Sequence, residues 1–311
     1  MRKKYNIAFY GAGKIARKFV KAATENERIE LYSVFSRDIE HAINFAEEFH
    51  VRYAFDSYEK MLHDDQIDVV YVSTPTKFHY EHIKQCIIAD KNVICEKPMV
   101  ETEEQALELM QLAREKNLLL LDALWTMYMP IIDSLQEKIK QIGKVQFSSA
   151  SLGYPSIISK DNQIIKTQYD LWDYEVYPLA TTLMLRGEPL AIKSKSKYVS
   201  DIQVKNTSIL KYKRGIARIR ASLMNRSSYV FLVLGSKGCI IARKWWFGNS
   251  PVIIWKYPFK FEVLKFNHVV NGYEYELDEV IECLDKHKIE SEKYFWDKTL
   301  QTLKWAKEIR G

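Results

Sequence analysis

The first third of the chain alternates short β-branched runs with stretches of helical spacing. That alternation is the sequence form of a parallel sheet covered by helices, and it narrows the fold more than any other feature. Tyr5–Tyr10 (Y-N-I-A-F-Y) predicts a strand, after which Ile15, Phe19 and Ala23 recur every four residues along one helical face. Ile29–Phe35 predicts a second strand, with a helix over about 38–49. The run 68–72 (D-V-V-Y-V) is nearly all apolar, as a strand buried on both faces would be. Ile83, Cys86 and Ile87 share one stripe of the helix that follows, and 92–95 gives another strand. Thr102 with Gln105 makes a capping box for a helix that buries Ala106, Leu109, Met110 and Ala113, and a strand at 118–121 closes the alternation.

Beyond about residue 122 the rhythm changes. A long helical region around 170–185 precedes several strands without intervening helices between 192 and 241, and amphipathic helices at about 269–283 and 294–309 end the chain. The 311 residues accommodate two domains at about 150 residues each. The prediction is an α/β chain: a doubly wound parallel sheet over 1–121, then an α+β domain with an open, mostly antiparallel mixed sheet over 122–311. No internal repeat or low-complexity linker interrupts it.

Glycine is scarce, at 11 residues, so two of them close together near the start are informative. Gly11-Ala12-Gly13-Lys14-Ile15-Ala16 reads G-x-G-x-x-A between a strand and a helix, the pattern of a Rossmann dinucleotide turn. Gly11 permits the tight turn, Gly13 admits a diphosphate to the backbone, and Ala16 lets helix and strand pack closely. The helix amino terminus then faces the phosphates. The plainer alternative is a glycine-containing turn between two core elements. At the end of the second strand, where an acidic residue would favour NAD(H), the chain has Ser36-Arg37. A hydroxyl and a guanidinium suit a ribose 2′-phosphate, so NADP(H) is the preferred cofactor and NAD(H) the alternative. Arg37 as an ordinary surface arginine is the competing reading.

Lysine plus arginine exceeds aspartate plus glutamate by 46 − 40 = 6, which decides nothing by itself. Cys86, Cys95, Cys239 and Cys283 show no C-x-x-C spacing, which points to a reducing, cytoplasmic setting. Met1-Arg2-Lys3-Lys4 and the apolar run after it imitate a signal peptide, but Gly11, Gly13 and Lys14 interrupt the pattern. No run approaches the ~18 apolar residues of a membrane span. His79 and His82 lack the further ligands of a zinc site, so no metal is expected.

The stretch 90–98 (D-K-N-V-I-C-E-K-P) resembles the A-G-K-x-V-x-x-E-K-P signature of the Gfo/Idh/MocA oxidoreductases, the glucose-fructose oxidoreductase and inositol dehydrogenase family. Thr74-Pro75 with His79 is similar to that family's T-P-x-x-x-H, and 122–130 (D-A-L-W-T-M-Y-M-P) to the entry into its second domain in the dihydrodiol dehydrogenase branch. Asp173 and Tyr177 fall at the spacing of its D-x-x-x-Y/H pair. The resemblance covers essentially the whole chain. It implies an NAD(P)-dependent enzyme acting on CH-OH groups of a sugar, polyol or similar hydroxylated small molecule, and a homodimer. It further implies a cis Lys97-Pro98 bond and a cofactor site formed by Gly11, Gly13, Lys14, Ile15, Ser36, Arg37, Ser73, Thr74, Pro75, His79, Glu96 and Lys97.

The residue chemistry agrees. Lys97, at the carboxyl end of a parallel strand, can hydrogen-bond the reacting oxygen. Tyr177 can exchange a proton with the reacting hydroxyl, and Asp173, one helical turn earlier, can orient substrate or tyrosine. Their alternative is a buried tyrosine with a capping aspartate. The chain departs from the family pattern at Glu175, where glycine is usual, at Met127 in place of arginine, and at Thr76 in place of asparagine. Glu175 is expected to narrow the pocket or move Tyr177. Trp125, Tyr128, Trp172 and Tyr174 are candidates for stacking on the substrate. Lys193, Lys195 and Lys197, followed by Lys211, Lys213, Arg214, Arg218 and Arg220, read as a solvated sheet face rather than a polyanion groove, so neither nucleic acid nor membrane is an expected partner. Trp245-Trp246-Phe247 and Trp255 read as core or as a subunit contact. The rival from another class is a catalytically idle, nucleotide-responsive regulatory protein of the same fold.

Overall fold

A run of three valines and one tyrosine at 69–72 can satisfy its backbone only in a sheet and its side chains only in an interior. In the computed structural model it is a wholly buried strand near the middle of a parallel sheet. The structure describes residues 3–156, 159–160, 163–164, 170–199, 201–227, 229–244 and 248–310.

The elements run β1 (Tyr5–Tyr10), α1 (Ala16–Thr24), β2 (Ile29–Phe35), α2 (Ile39–Phe49), β3 (Tyr53–Phe55), α3 (Tyr58–Leu62), β4 (Val69–Val72), α4 (His79–Ile88), β5 (Asn92–Glu96), α5 (Glu103–Lys116) and β6 (Leu120–Ala123). There follow α6 (Pro130–Gln141), β7 (Val145–Gly153), the short β8 (Ser159–Lys160) and β9 (Gln163–Ile164), and α7 (Trp172–Arg186). Seven strands come next: β10 (Ala191–Val199), β11 (Ile202–Lys211), β12 (Ile216–Ser222), β13 (Val230–Gly235), β14 (Gly238–Arg243), β15 (Val252–Lys256) and β16 (Lys260–Leu264). The chain ends with α8 (Glu274–Asp285) and α9 (Trp296–Arg310). Two compact units divide it: Met1–Tyr128 with Val269–Leu300, and Met129–His268 with Gln301–Gly311.

In the first unit the strands lie in the order β3-β2-β1-β4-β5-β6, and each pair is parallel. The order reverses between β1 and β4, which opens a crevice beyond their carboxyl ends. Rings fix α1 and α2 on this sheet: Phe19 of α1 stacks on Tyr71 at 3.9 Å, and Phe45 of α2 leans on Phe9 at 5.5 Å. Such pairs each add about 0.5–1.5 kcal/mol beyond burial. Thr102 caps α5 through the Gln105 amide, while the Gln105 side chain accepts from the amide of Glu101, one residue further back than the capping box requires.

The carboxyl-terminal segment of this unit begins differently from its sequence expectation. The helical pattern starts near 269, but α8 begins at Glu274. The Glu274 carboxylate accepts from the amides of Val269, Val270, Asn271 and Gly272 at 2.6–3.1 Å, and so folds the preceding residues into a tight loop. Burial opposes its ionisation, yet these backbone donors hold its carboxyl below the usual range. Residues 269–300 thus lie in the first unit, though the expected second domain covered everything from 122 onward.

The second unit has an eight-stranded sheet in the order β10-β11-β12-β7-β13-β14-β15-β16, antiparallel except where β12 meets β7. α7 packs on β12 and β7, and α6 on β14. The opposite sheet face carries Leu234, Ile253, Phe261 and Val263, all exposed. Lys193, Lys195 and Lys197 lie exposed on the edge strand β10, where lysines blunt edge-to-edge pairing. Trp255 is half-buried on β15, and Trp245-Trp246-Phe247 lie outside the described residues. Among the described residues no helix is long and apolar enough to cross a membrane.

Candidate active site

Gly11 follows β1 with φ +114°, a backbone that side-chain-bearing residues rarely adopt. Its amide donates to the Phe35 carbonyl at 3.0 Å, and its carbonyl accepts from Ser73 Oγ at 3.3 Å, so the turn is braced by β2 and β4. A Cβ placed on Gly11 would come within 3.4 Å of Ser73 Oγ and Thr74 Cγ2. At Gly13 the same construction meets nothing within 4 Å, which leaves the backbone open to a ligand. Lys14 is exposed, and Ile15 starts α1 with no side-chain cap. A backbone turn of this shape at an uncapped helix start fits a dinucleotide diphosphate.

Ser36 and Arg37 follow β2. The Asp38 carboxylate there is turned to α2, where it caps the Glu40 amide at 3.0 Å, and Ser36 Oγ accepts from the Asp38 amide. Arg37 is exposed. The His82 imidazole is pushed down to about 4, mainly by burial and further by the charges of His79 and Arg37. His82 Nδ1 lies 2.8 Å from Thr74 Oγ1, and its ring stacks on Tyr10 at 4.4 Å.

His79 is 1% exposed, with Nε2 2.6 Å from the Thr74 carbonyl and Nδ1 3.0 Å from the Pro98 carbonyl. It therefore ties the end of β4 to the segment after β5. Burial lowers its basicity, the Lys97 charge adds to this, and the carbonyls oppose it. Pro75 separates Thr74 from the short turn that leads into α4. Glu96 ends β5, buried, and accepts from the Tyr71 hydroxyl at 2.5 Å. Lys97 stands one residue further on, half-exposed, and its bond to Pro98 is cis, as the resemblance implies.

Behind this segment lies a group of carboxyls that the sequence does not announce. Asp122 on β6 accepts from Thr299 Oγ1 at 2.9 Å and is pushed up to about 7. Burial is the main cause and Glu96 adds to it, while Thr299 and the Lys97 charge oppose it. Glu276 on α8 is wholly buried, and among the described residues neither of its carboxyl oxygens has a hydrogen-bond partner. Burial, with Glu96 and Asp122 beyond it, pushes the Glu276 carboxyl well above its ordinary value.

In the second unit Asp173 and Tyr177 sit four residues apart on α7, both half-buried. Asp173 Oδ2 accepts from the Asp170 amide at 3.1 Å. Glu175 is 1% exposed, and its Oε1 accepts from Asn206 Nδ2 at 2.5 Å. It is bonded to β11, whereas the sequence suggests a residue that narrows the pocket or moves Tyr177. Of the four aromatics considered for stacking, Tyr128 and Trp172 are packed inside: the Tyr128 hydroxyl bonds the Asp122 carbonyl, and Arg310 lies over Trp172. Trp125 is half-buried against Tyr273, and Tyr174 bonds Ser156. Met127 is buried.

Residues 5–122 match the family model described as "Oxidoreductase family, NAD-binding Rossmann fold". The chain is 29% identical over 298 residues to the trans-1,2-dihydrobenzene-1,2-diol dehydrogenase of Xenopus laevis, covering 90% of this chain and 89% of the relative. It is 25% identical over 314 residues to the scyllo-inositol 2-dehydrogenase (NADP(+)) of Bacillus subtilis (strain 168), covering 98% and 95%. In fold it is similar to a 3-ketoreductase from Actinomadura kijaniata, solved in complex with TDP-benzene and NADP, at TM-score 0.86 and 20% identity over 99% of this chain and 97% of that one.

Proposed function

As this chain belongs to the Gfo/Idh/MocA family of oxidoreductases, we propose that it transfers a hydride between NADP(H) and a carbinol or carbonyl carbon of a sugar, polyol or related hydroxylated molecule. The observation that carries this reading is Lys97, held just past the end of β5 by the His79 bridge, in a sheet whose strand order reverses beside the Gly11 turn. The nicotinamide supplies the hydride when the cofactor is bound. Gly11, Gly13, Lys14 and Ile15 receive the diphosphate at the start of α1. Ser73, Thr74, Pro75, His79 and Glu96 line or brace the rest of the cofactor site. Lys97 donates a hydrogen bond to the reacting oxygen and stabilises the charge that develops there. Tyr177 exchanges the proton with that oxygen, and Asp173 orients the phenol or the substrate.

The preference for NADP(H) rests on Ser36 and Arg37, with Asp38 committed to capping α2. Relatives named for NADP(+) support it. The exposed apolar face of the eight-stranded sheet supports a homodimer, since a large apolar patch is unusual on a monomer. Light scattering tests that assignment. The cytoplasmic setting is part of the same reading and rests on four free cysteines.

A spectrophotometric screen of NADPH oxidation across a sugar and carbonyl panel tests the activity. Turnover of a hydroxylated carbonyl supports it. Tight NADPH binding without oxidation of any member would instead favour the nucleotide-responsive regulator.

A further inference from the structure

The reading above gives Asp173 and Tyr177 their work and leaves Glu175, two residues from each, without any. A carboxyl 1% exposed is expensive to keep in an interior, and glycine, alanine or leucine would fit a helix facing a sheet at lower cost. What this carboxyl touches is specific. Its Oε1 accepts from Asn206 Nδ2 at 2.5 Å, and Asn206 is itself wholly buried. The same Nδ2 donates to Ser208 Oγ at 3.0 Å, Asn206 Oδ1 accepts from Ser196 Oγ at 3.4 Å, and Gln203 Nε2 donates to Ser196 Oγ at 2.7 Å. Ser208 is in turn 2.8 Å from Ser194 Oγ. The amide that grips Glu175 is thus fixed by side chains from β10 and β11.

The helix needs such a grip. Pro178 lies inside α7 and has no N–H to give the Tyr174 carbonyl, and the residue before a proline, Tyr177, is disfavoured in helical conformation. The turn bearing Asp173 and Tyr177 is therefore weakly coupled to the helix that continues through Leu179, Ala180 and Leu183 into the core. At about 100° per residue, positions 173 and 177 share one side of the helix, and position 175 points roughly the opposite way.

We propose that Glu175 is a positioning residue: its bond to Asn206 sets the rotation of the first turns of α7 and so the direction in which Asp173 and Tyr177 are presented. This rests on the reading of Asp173 and Tyr177 as the proton-exchange pair. The grip is pH-sensitive. Burial pushes the Glu175 carboxyl up to about 7, with Asp170 adding and the Asn206 bond and Arg310 opposing. Arg310 faces it from α9, Asp170 from the residues before α7, and Asn206 with Ser208 from β11, while β10 contributes only the uncharged Ser194 and Ser196 to the chain behind Asn206. A bond to the carboxylate is stronger than one to the neutral acid, so the turn tightens as pH rises through neutrality.

The test combines tyrosine ring-labelled carbon NMR on the full chain with turnover of the carbonyl that oxidises NADPH fastest in the panel. The Tyr177 resonance is assigned by its loss in Tyr177→Phe. In the wild type it should shift with a midpoint near the value of about 7 to which burial pushes the Glu175 carboxyl, and the shift should vanish in Glu175→Gln. Asn206→Asp, which sets two acceptors against each other, should lower kcat by at least about tenfold. Glu175→Gln with Asn206→Asp together reverses donor and acceptor at unchanged lengths and should recover kcat to within about threefold of wild type. Cofactor Kd stays unchanged throughout. A Tyr177 resonance without the neutral step, a step that survives Glu175→Gln, or a swap that fails to rescue overturns the proposal. An undiminished kcat in Tyr177→Phe, or a panel with no turnover, instead overturns the reading beneath it, and the NMR titration still decides whether Glu175 positions the turn.

Discussion

Replacing Asp122 by asparagine isolates the electrostatic burden carried behind Lys97. The side chain keeps its size and its bond from Thr299 but can no longer ionise. In the folded chain burial pushes the carboxyl up to about 7 from an ordinary 3.8. The folded value is the raised one, so the native state holds its proton more tightly than the unfolded chain does. Stability is greatest below the ordinary value, falls as pH rises toward 7, and is level above it. With 1.36 kcal/mol per unit, ionisation costs about 4 kcal/mol by pH ~8, of which somewhat under 2 is already lost at pH ~5. About 2–3 kcal/mol of pH dependence therefore belongs to this one group. Packing changes caused by the amide are independent of pH and cancel in the comparison. Urea unfolding of both proteins across that range should show the stability of Asp122→Asn relative to wild type rising by roughly this amount toward high pH. A difference that stays flat, or runs the other way, refutes the account of the buried carboxyls.

Gly11→Ala forces a side chain into φ +114° and against Ser73 and Thr74, and should weaken dinucleotide binding at least about tenfold by calorimetry while the fold persists. Arg37→Ala should weaken NADP+ by about 10–100-fold, the worth of a charge-assisted bond, and leave NAD+ affinity nearly unchanged in the same titration. Glu274→Gln removes the charge that gathers four backbone amides, and should lower unfolding stability by about 2–3 kcal/mol at neutral pH. Because the Glu274 carboxyl is held low, that loss should fade as acid protonates the wild type, and a loss that persists undiminished in acid would contradict the assignment.

The parallel sheet was legible because its strands satisfy local rules: 69–72 is apolar on both faces, and the glycine turn lies between a strand and a helix. Other elements break those rules for reasons that only the assembled sheet supplies. β3 has three half-exposed or exposed residues, too few for a period to emerge. β7 reads V-Q-F-S-S-A-S-L-G, a serine-rich stretch with weak strand preference, yet it lies near the middle of the second sheet, where Ser149 meets Arg218. Its small side chains allow α7 to pack closely. The group of Glu96, Asp122, Glu276 and Thr299 is drawn from distant parts of the chain, the bonded Asp122 and Thr299 lying 177 residues apart, and each acid reads alone as an ordinary charge on a helix or at a strand end. Glu175 was visible as a departure from a family pattern, but its partner Asn206 lies 31 residues away on β11, which its neighbours in sequence do not reveal.

In the proposed reaction the Lys97 ammonium meets the oxygen whose carbon receives or gives the hydride. Lys97→Met keeps the length and loses the charge. The single-turnover rate of NADPH oxidation, with cofactor affinity read in parallel, should fall by about a hundredfold or more while NADPH binding stays unchanged. A rate equal to that of the wild type contradicts it.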